Sequence, residues 1–143
     1  MKIAFPEFAF RIKEENEKEF IFDPFRHCWL RLSPEEWVRQ NFLQYLLQVH
    51  KYPASLIAIE KELMLGELVK RFDILIYNKD HQPWMMVECK AMDVELNKKV
   101  LDQLLRYNLS IPVRYLVITN GSYTFAFERD SAGLTMLNEL PKH

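Results

Sequence analysis

The stretch Arg71–Ala91, RFDILIYNKDHQPWMMVECKA, decides how this chain is read. Two apolar runs, Ile74–Tyr77 and Trp84–Val87, flank a polar segment, which is the pattern of two strands joined by a turn. Asp73 stands at one end and Glu88-Cys89-Lys90 at the other. A charge beside a core is costly unless it is paired, metal-bound or neutralised, so three of them need a purpose. If Lys79–Gln82 is a four-residue loop, Leu75 faces Met86 and Asp73 faces Glu88. Alternation then puts Asp73, Leu75 and Tyr77 on one face with Trp84, Met86, Glu88 and Lys90. Facing Cβ atoms lie only ~5 Å apart and like charges so placed repel, which calls for a positive group between the carboxylates. Lys90 in an ordinary cross-strand ion pair is one candidate. A divalent cation is the other, since two carboxylates plus water suit Mg²⁺ or Mn²⁺.

Upstream, Ser33-Pro34-Glu35-Glu36 opens a helix, with Ser as N-cap, Pro at the first position and Glu36 placed to close a capping box. Val38, Phe42, Tyr45 and Val49 continue its apolar face to His50. After Pro53, SLIAIEKEL reads as a strand. Downstream, Leu96, Val100, Leu104 and Tyr107 set a second helix over Val94–Asn108, stopped by Pro112. VRYLVITN and SYTFAFER then flank Asn120-Gly121, a strong hairpin signal. The order helix, three strands, helix, two strands gives an α/β fold: a mixed sheet flanked by helices, the second helix carrying a crossover. Residues 1–32 read as an N-terminal extension packed on a domain spanning 33–143.

The chain has 143 residues, 49% of them hydrophobic and three of them Gly, which is globular composition for one domain. A net charge of −1 excludes a strongly basic nucleic-acid clamp and leaves room only for a local basic patch. Cys28 and Cys89 lie outside zinc-ligand spacing and read as free thiols of a reducing compartment. Pro6 and Glu7 interrupt the opening apolar residues, and no run approaches the roughly 18 apolar residues a spanning helix needs. A soluble, cytoplasmic protein with no membrane partner is expected.

Asp73 followed by Glu88-Cys89-Lys90, with a helix and a strand before and a helix after, resembles the PD-(D/E)XK nuclease superfamily, the restriction-endonuclease-like fold. That implies an αβββαβ core, here with an extra C-terminal strand. Gln103-Leu-Leu-Arg-Tyr107 is similar to the Gln-x-x-x-Tyr motif of the nuclease domain at the N terminus of type I restriction motor subunits, and RLSPEEWVRQ, ECKA and ITNG look like signposts of its small relatives. The resemblance covers residues 26–128; Phe72 stands where the Pro of the superfamily name would be.

By this resemblance Asp73 and Glu88 are ligands of Mg²⁺ or Mn²⁺, joined by the backbone carbonyl of Cys89, and Lys90 stabilises charge on the phosphate or orients the attacking water. Gln103 and Tyr107 belong to the catalytic motif. Glu36 either reaches the metal through water or only completes the capping box, and Glu60 could face the same site. Arg39, Lys70 and Arg71 are phosphate contacts or solvated surface. The implied activity is Mg²⁺-dependent DNA endonuclease; the alternative is a non-catalytic nucleic-acid- or protein-binding module that keeps the fold. No Gly-x-x-x-x-Gly-Lys phosphate loop occurs, so a helicase or restriction-modification partner would supply any motor. A symmetric dimer would serve cleavage of both DNA strands.

Overall fold

In the computed structural model, which describes residues 1–143, the N-terminal extension is an antiparallel meander of β1 (Ile12–Glu15), β2 (Lys18–Asp23) and β3 (Cys28–Arg31). Asn16 and Glu17 turn the first hairpin at left-handed φ of 52° and 64°, the mirror-image turn whose twist suits flanking strands. Asp23 organises the second turn. Its Oδ1 accepts the amides of Phe25 (2.7 Å) and Arg26 (3.0 Å), and its Oδ2 accepts Arg26 Nε (2.6 Å) and Gln40 Nε2 (3.0 Å). The residue is wholly buried. Burial pushes its carboxyl up, but bonds from Arg26 and Gln40 outweigh that and hold it below its ordinary range.

Helix α1 (Pro34–Gln44) starts where the capping signals place it, with Ser33 Oγ accepting the Glu36 amide at 3.0 Å. Its extension to His50 is a single π turn, Tyr45–Val49, in which the His50 amide reaches the Tyr45 carbonyl at 3.2 Å. Leu46, four residues after Phe42, is fully buried, Tyr45 packs against the same core, and Val49, at the end of the wider turn, is left exposed.

A six-stranded sheet follows: β4 (Ile57–Leu65), β5 (Leu68–Tyr77), β6 (Pro83–Cys89), β7 (Tyr115–Thr119), β8 (Thr124–Asp130) and β9 (Gly133–Leu137), side by side in chain order. Every pair is antiparallel except β6–β7, whose crossover carries α2 (Lys98–Asn108) as expected. This mixed α/β architecture is compatible with a restriction-endonuclease-like fold. Two features depart from the expectation. α2 begins later than Val94 because Asn97 Oδ1 caps the Val100 amide at 2.9 Å. β9 is an additional edge strand, and an edge is where alternation is least enforced by burial.

Alternation sends Ile74, Ile76, Met85, Val87 and Val117 to the face under α1, where they meet Val38, Phe42 and Leu43. Leu75, Met86 and Leu116 face the other way, toward Ile111, Val113 and Leu105 of α2. Both sheet faces are covered, which is why β5 to β7 read as near-continuous apolar runs.

The N-terminal meander is tied to α1 through Asp23. Asp23→Ala leaves Arg26 and Gln40 without their shared acceptor, and urea unfolding of this variant is expected to show a loss of roughly 3–5 kcal/mol, the scale for breaking a buried pair.

Candidate active site

Two irregularities in the sheet shape the site. Leu75 pairs with Met86 as expected, but a register shift between Ile76 and Tyr77 sets Tyr77 against Pro83 rather than Trp84. Trp84 consequently packs with the α1-side core and not on the face of Met86. On the other edge of β5, the pairs Ile59–Ile74 and Lys61–Phe72 flank Glu60 and Asp73, which do not pair. Glu60 sits at φ 49°, a left-handed conformation that costs a non-Gly residue on the order of 1–3 kcal/mol. The interruption breaks strict alternation: Phe72 packs in the same cluster as Leu75, and Asp73 reaches α1.

Asp73 Oδ2 accepts the backbone amide of Cys89 at 2.8 Å, and Oδ1 accepts Arg39 Nη2 at 2.8 Å. Glu88 occupies the position beyond the last β5–β6 pair, beside Asp73. Burial first, and then the charge of Asp73, push its carboxyl up to about 7, with Lys90 pulling the other way; Glu35 and a hydrogen bond shared with Asp73 add to the rise. The cation in contact with Asp73 is thus Arg39, while Lys90 acts on Glu88 only through its field.

Arg39 is neither solvated nor a free phosphate contact: its side chain is 7% exposed. Nη1 lies 2.7 Å from Glu36 Oε1 and 3.2 Å from Glu60 Oε1, while Nη2 binds Asp73 and has Glu35 Oε1 at 4.0 Å. Burial alone would lower its pKa; Glu36 and Asp73 outweigh that and raise it, so its charge is permanent.

Glu36 keeps only half of the expected capping box. Its amide binds Ser33, but its carboxylate turns inward, with Oε1 on Arg39 (2.7 Å) and Arg26 (3.5 Å) and Oε2 on Gln40 (3.2 Å). Both oxygens are committed to bracing these side chains. The acidic residue that α1 presents toward Asp73 and Glu88 is its neighbour Glu35, 47% exposed at the side chain, whose carboxyl is raised by burial and then by Asp73. The sequence reading gives Arg39 only as a phosphate contact or solvated surface and assigns Glu35 no role at the site, although their i,i+4 spacing on a helix is a recognisable pairing signal. Glu60 does join the cluster: its Oε2 binds Arg71 (3.0 Å) and Arg26 (3.3 Å), so the N-terminal meander also reaches the site.

The Cys89 thiol is completely buried and pushed well above its ordinary pKa by that burial. Gln103 and Tyr107 lie elsewhere, on the exposed side of α2, lining a shallow groove with Lys98, Lys99, Asp102 and Arg106. Tyr107 is 58% exposed and so off the helix's packed stripe. Its partner is Lys70, whose Nζ sits 3.6 Å from the ring centroid and donates to the Tyr107 carbonyl at 3.1 Å. Lys70 itself is buried, contrary to the surface role expected of it.

The mixed sheet with helices on both faces makes this an α/β protein compatible with the restriction-endonuclease-like class. Residues 34–141 match the family of the type I restriction enzyme R protein N terminus, and the chain belongs to that family. None of the curated proteins matches the sequence. No helix is long and apolar enough to cross a membrane.

Glu88 gives the metal-free fold a pH signature. Between its ordinary value of 4.5 and about 7 the unfolded chain has released the proton that the folded chain retains, so stability falls as pH rises through that window and is flat above it. Glu88→Gln removes this slope. Measured by urea unfolding in the presence of a chelator, the variant should gain roughly 1–3 kcal/mol over the parent at pH 8 and little at pH 4; a difference independent of pH would exclude the raised carboxyl.

Proposed function

We propose that the chain is a divalent-metal-dependent nuclease that hydrolyses phosphodiester bonds in DNA. One observation carries this reading: Glu88 is held beside Asp73 with its carboxyl raised to about 7 and with no cation in contact. Two adjacent carboxylates at that cost are accounted for by a hard cation, and their oxygens suit Mg²⁺ or Mn²⁺. No third His, Cys, Asp or Glu completes a metal-holding group with them. The other ligands would be the Cys89 carbonyl, water and substrate phosphate. A cation held there supplies neutralisation of charge on the phosphate and acidification of a bound water.

The protein groups divide the remaining tasks. Lys90 stabilises charge developing on the phosphate or orients the water. Glu35 takes the place envisaged for Glu36, since it is the helix carboxylate that faces solvent and the pair together. Lys98, Lys99 and Arg106 around Gln103 form the local basic patch that the net charge of −1 leaves room for, with Gln103 and Tyr107 as DNA contacts rather than catalytic residues. With so few phosphates neutralised, duplex affinity is weak and salt-sensitive. Family membership favours a restriction-modification setting in which motor functions lie outside these residues. A non-catalytic binding module is favoured by a different observation, the Arg39–Asp73 ion pair, which satisfies one carboxylate without metal.

Calorimetric Mn²⁺ titration and nicking of supercoiled plasmid, run on the parent, Asp73→Ala and Lys90→Ala, separate the readings. Asp73→Ala should lose metal affinity and cleavage together. Lys90→Ala should bind Mn²⁺ as well as the parent while cleavage drops by about 10²–10³-fold, the scale for losing one group that stabilises transition-state charge. Unchanged Mn²⁺ binding by Asp73→Ala would remove it as a ligand, and a parent that binds metal and DNA yet cuts nothing would establish the binding module.

A further inference from the structure

We infer that Arg39 is the resident counter-ion of Asp73, and that a divalent cation binds by taking Asp73 Oδ1 from its guanidinium while Arg39 stays anchored in place. This rests on Asp73 and Glu88 being the metal ligands.

The two oxygens of Asp73 are not equivalent. Oδ2 accepts an amide from the β6 backbone, and freeing it leaves the amide of buried Cys89 without a partner. Oδ1 is held by a side chain alone, Nη2 of Arg39 at 2.8 Å. The exchangeable side of Asp73 is therefore the one Arg39 covers. The guanidinium fork is equally uneven. Nη1 is shared by Glu36 at 2.7 Å and Glu60 at 3.2 Å, whereas Nη2 has Asp73 alone within hydrogen-bond distance and Glu35 next, at 4.0 Å. Giving up Asp73 thus leaves a buried arginine that is still doubly paired, with a further carboxylate within reach of the freed amino group.

The anchors are themselves fixed. Arg26 lies 3.5 Å from Glu36 and 3.3 Å from Glu60, and Gln40 donates to Glu36 at 3.2 Å. Arg39 Nε is buried without a hydrogen-bond partner, so the side chain is gripped at the tips of its fork and not along its stem. In that arrangement the guanidinium, and not Lys90, is the cation in contact with Asp73. It follows that the affinity for a cation is reduced by the stability of the Arg39–Asp73 pair, a competition between a monovalent and a divalent partner for one oxygen.

The test is Mn²⁺ calorimetry on the parent and Arg39→Gln. Removing a unit positive charge at ion-pair distance from a ligand oxygen should tighten Mn²⁺ binding by at least about tenfold. A parent that binds no Mn²⁺ overturns the ligand pair itself. A parent that binds, beside an Arg39→Gln protein that binds no tighter or more weakly, overturns the exchange and makes Arg39 a fixed support for Asp73. If Arg39→Gln does not fold, the parent decides alone: in a Mg²⁺ titration followed by NMR of arginine side-chain nitrogens, the Arg39 guanidinium should shift with the midpoint of metal binding, and an Arg39 guanidinium that does not move overturns the inference.

Discussion

A guanidinium buried among carboxylates is the constraint around which this domain is arranged. Arg39 costs several kcal/mol to desolvate unless its charge is met at close range, and it is met from α1 by Glu36, from β4 by Glu60 and from β5 by Asp73. Those contacts fix how the helix sits over the sheet more specifically than the aliphatic packing of Val38, Phe42 and Leu43 alone, because hydrophobic contact is non-directional and a fork of ion pairs is not. The same network draws in the N-terminal meander. Asp23 holds Arg26, and Arg26 binds Glu36 and Glu60, so one chain of charges runs from β2 through α1 and β4 to β5.

Strain gathers at the same place. Glu60 has a left-handed backbone in the middle of a strand, Glu88 retains its proton to near neutrality, and Asp73 departs from the alternation of its strand. Each works against stability by itself. Together they bring three acidic side chains from separate segments to one corner of a sheet otherwise saturated with apolar residues, a local violation of otherwise consistent patterning that marks functional sites.

Much of the frame was legible because it rests on local chemistry. Ser33-Pro34 starts a helix, Asn120-Gly121 closes a hairpin and Leu75 pairs with Met86 as counted, since turn and cap preferences act within a few residues. What escaped depends on contacts between distant segments. The π turn at Tyr45–Val49 leaves Val49 exposed, and no local signal separates that from a regular turn. Arg39 and Lys70 read as surface residues because long cations usually are; burial came from partners brought in by the fold, 34 residues away for Asp73 and 37 for Tyr107. The direction of the Glu36 carboxylate escaped for a related reason. A capping box predicts the direction of the carboxylate from the helix alone, and two arginines and a glutamine pulled it elsewhere.

The opening residues of the chain are held by its late strands. The Met1 amino group donates to the Thr124 carbonyl and the Thr124 amide returns to Met1, both at 2.9 Å, while Ile3 binds Ser122. Met1, Ile3 and Phe5 pack against the main core. Their partners lie more than a hundred residues further along the sequence. Closing so long a loop carries a large entropic cost that only the finished β7–β8 hairpin can offset. This apolar segment therefore docks only once the distant β7–β8 hairpin has formed, as a late step of folding.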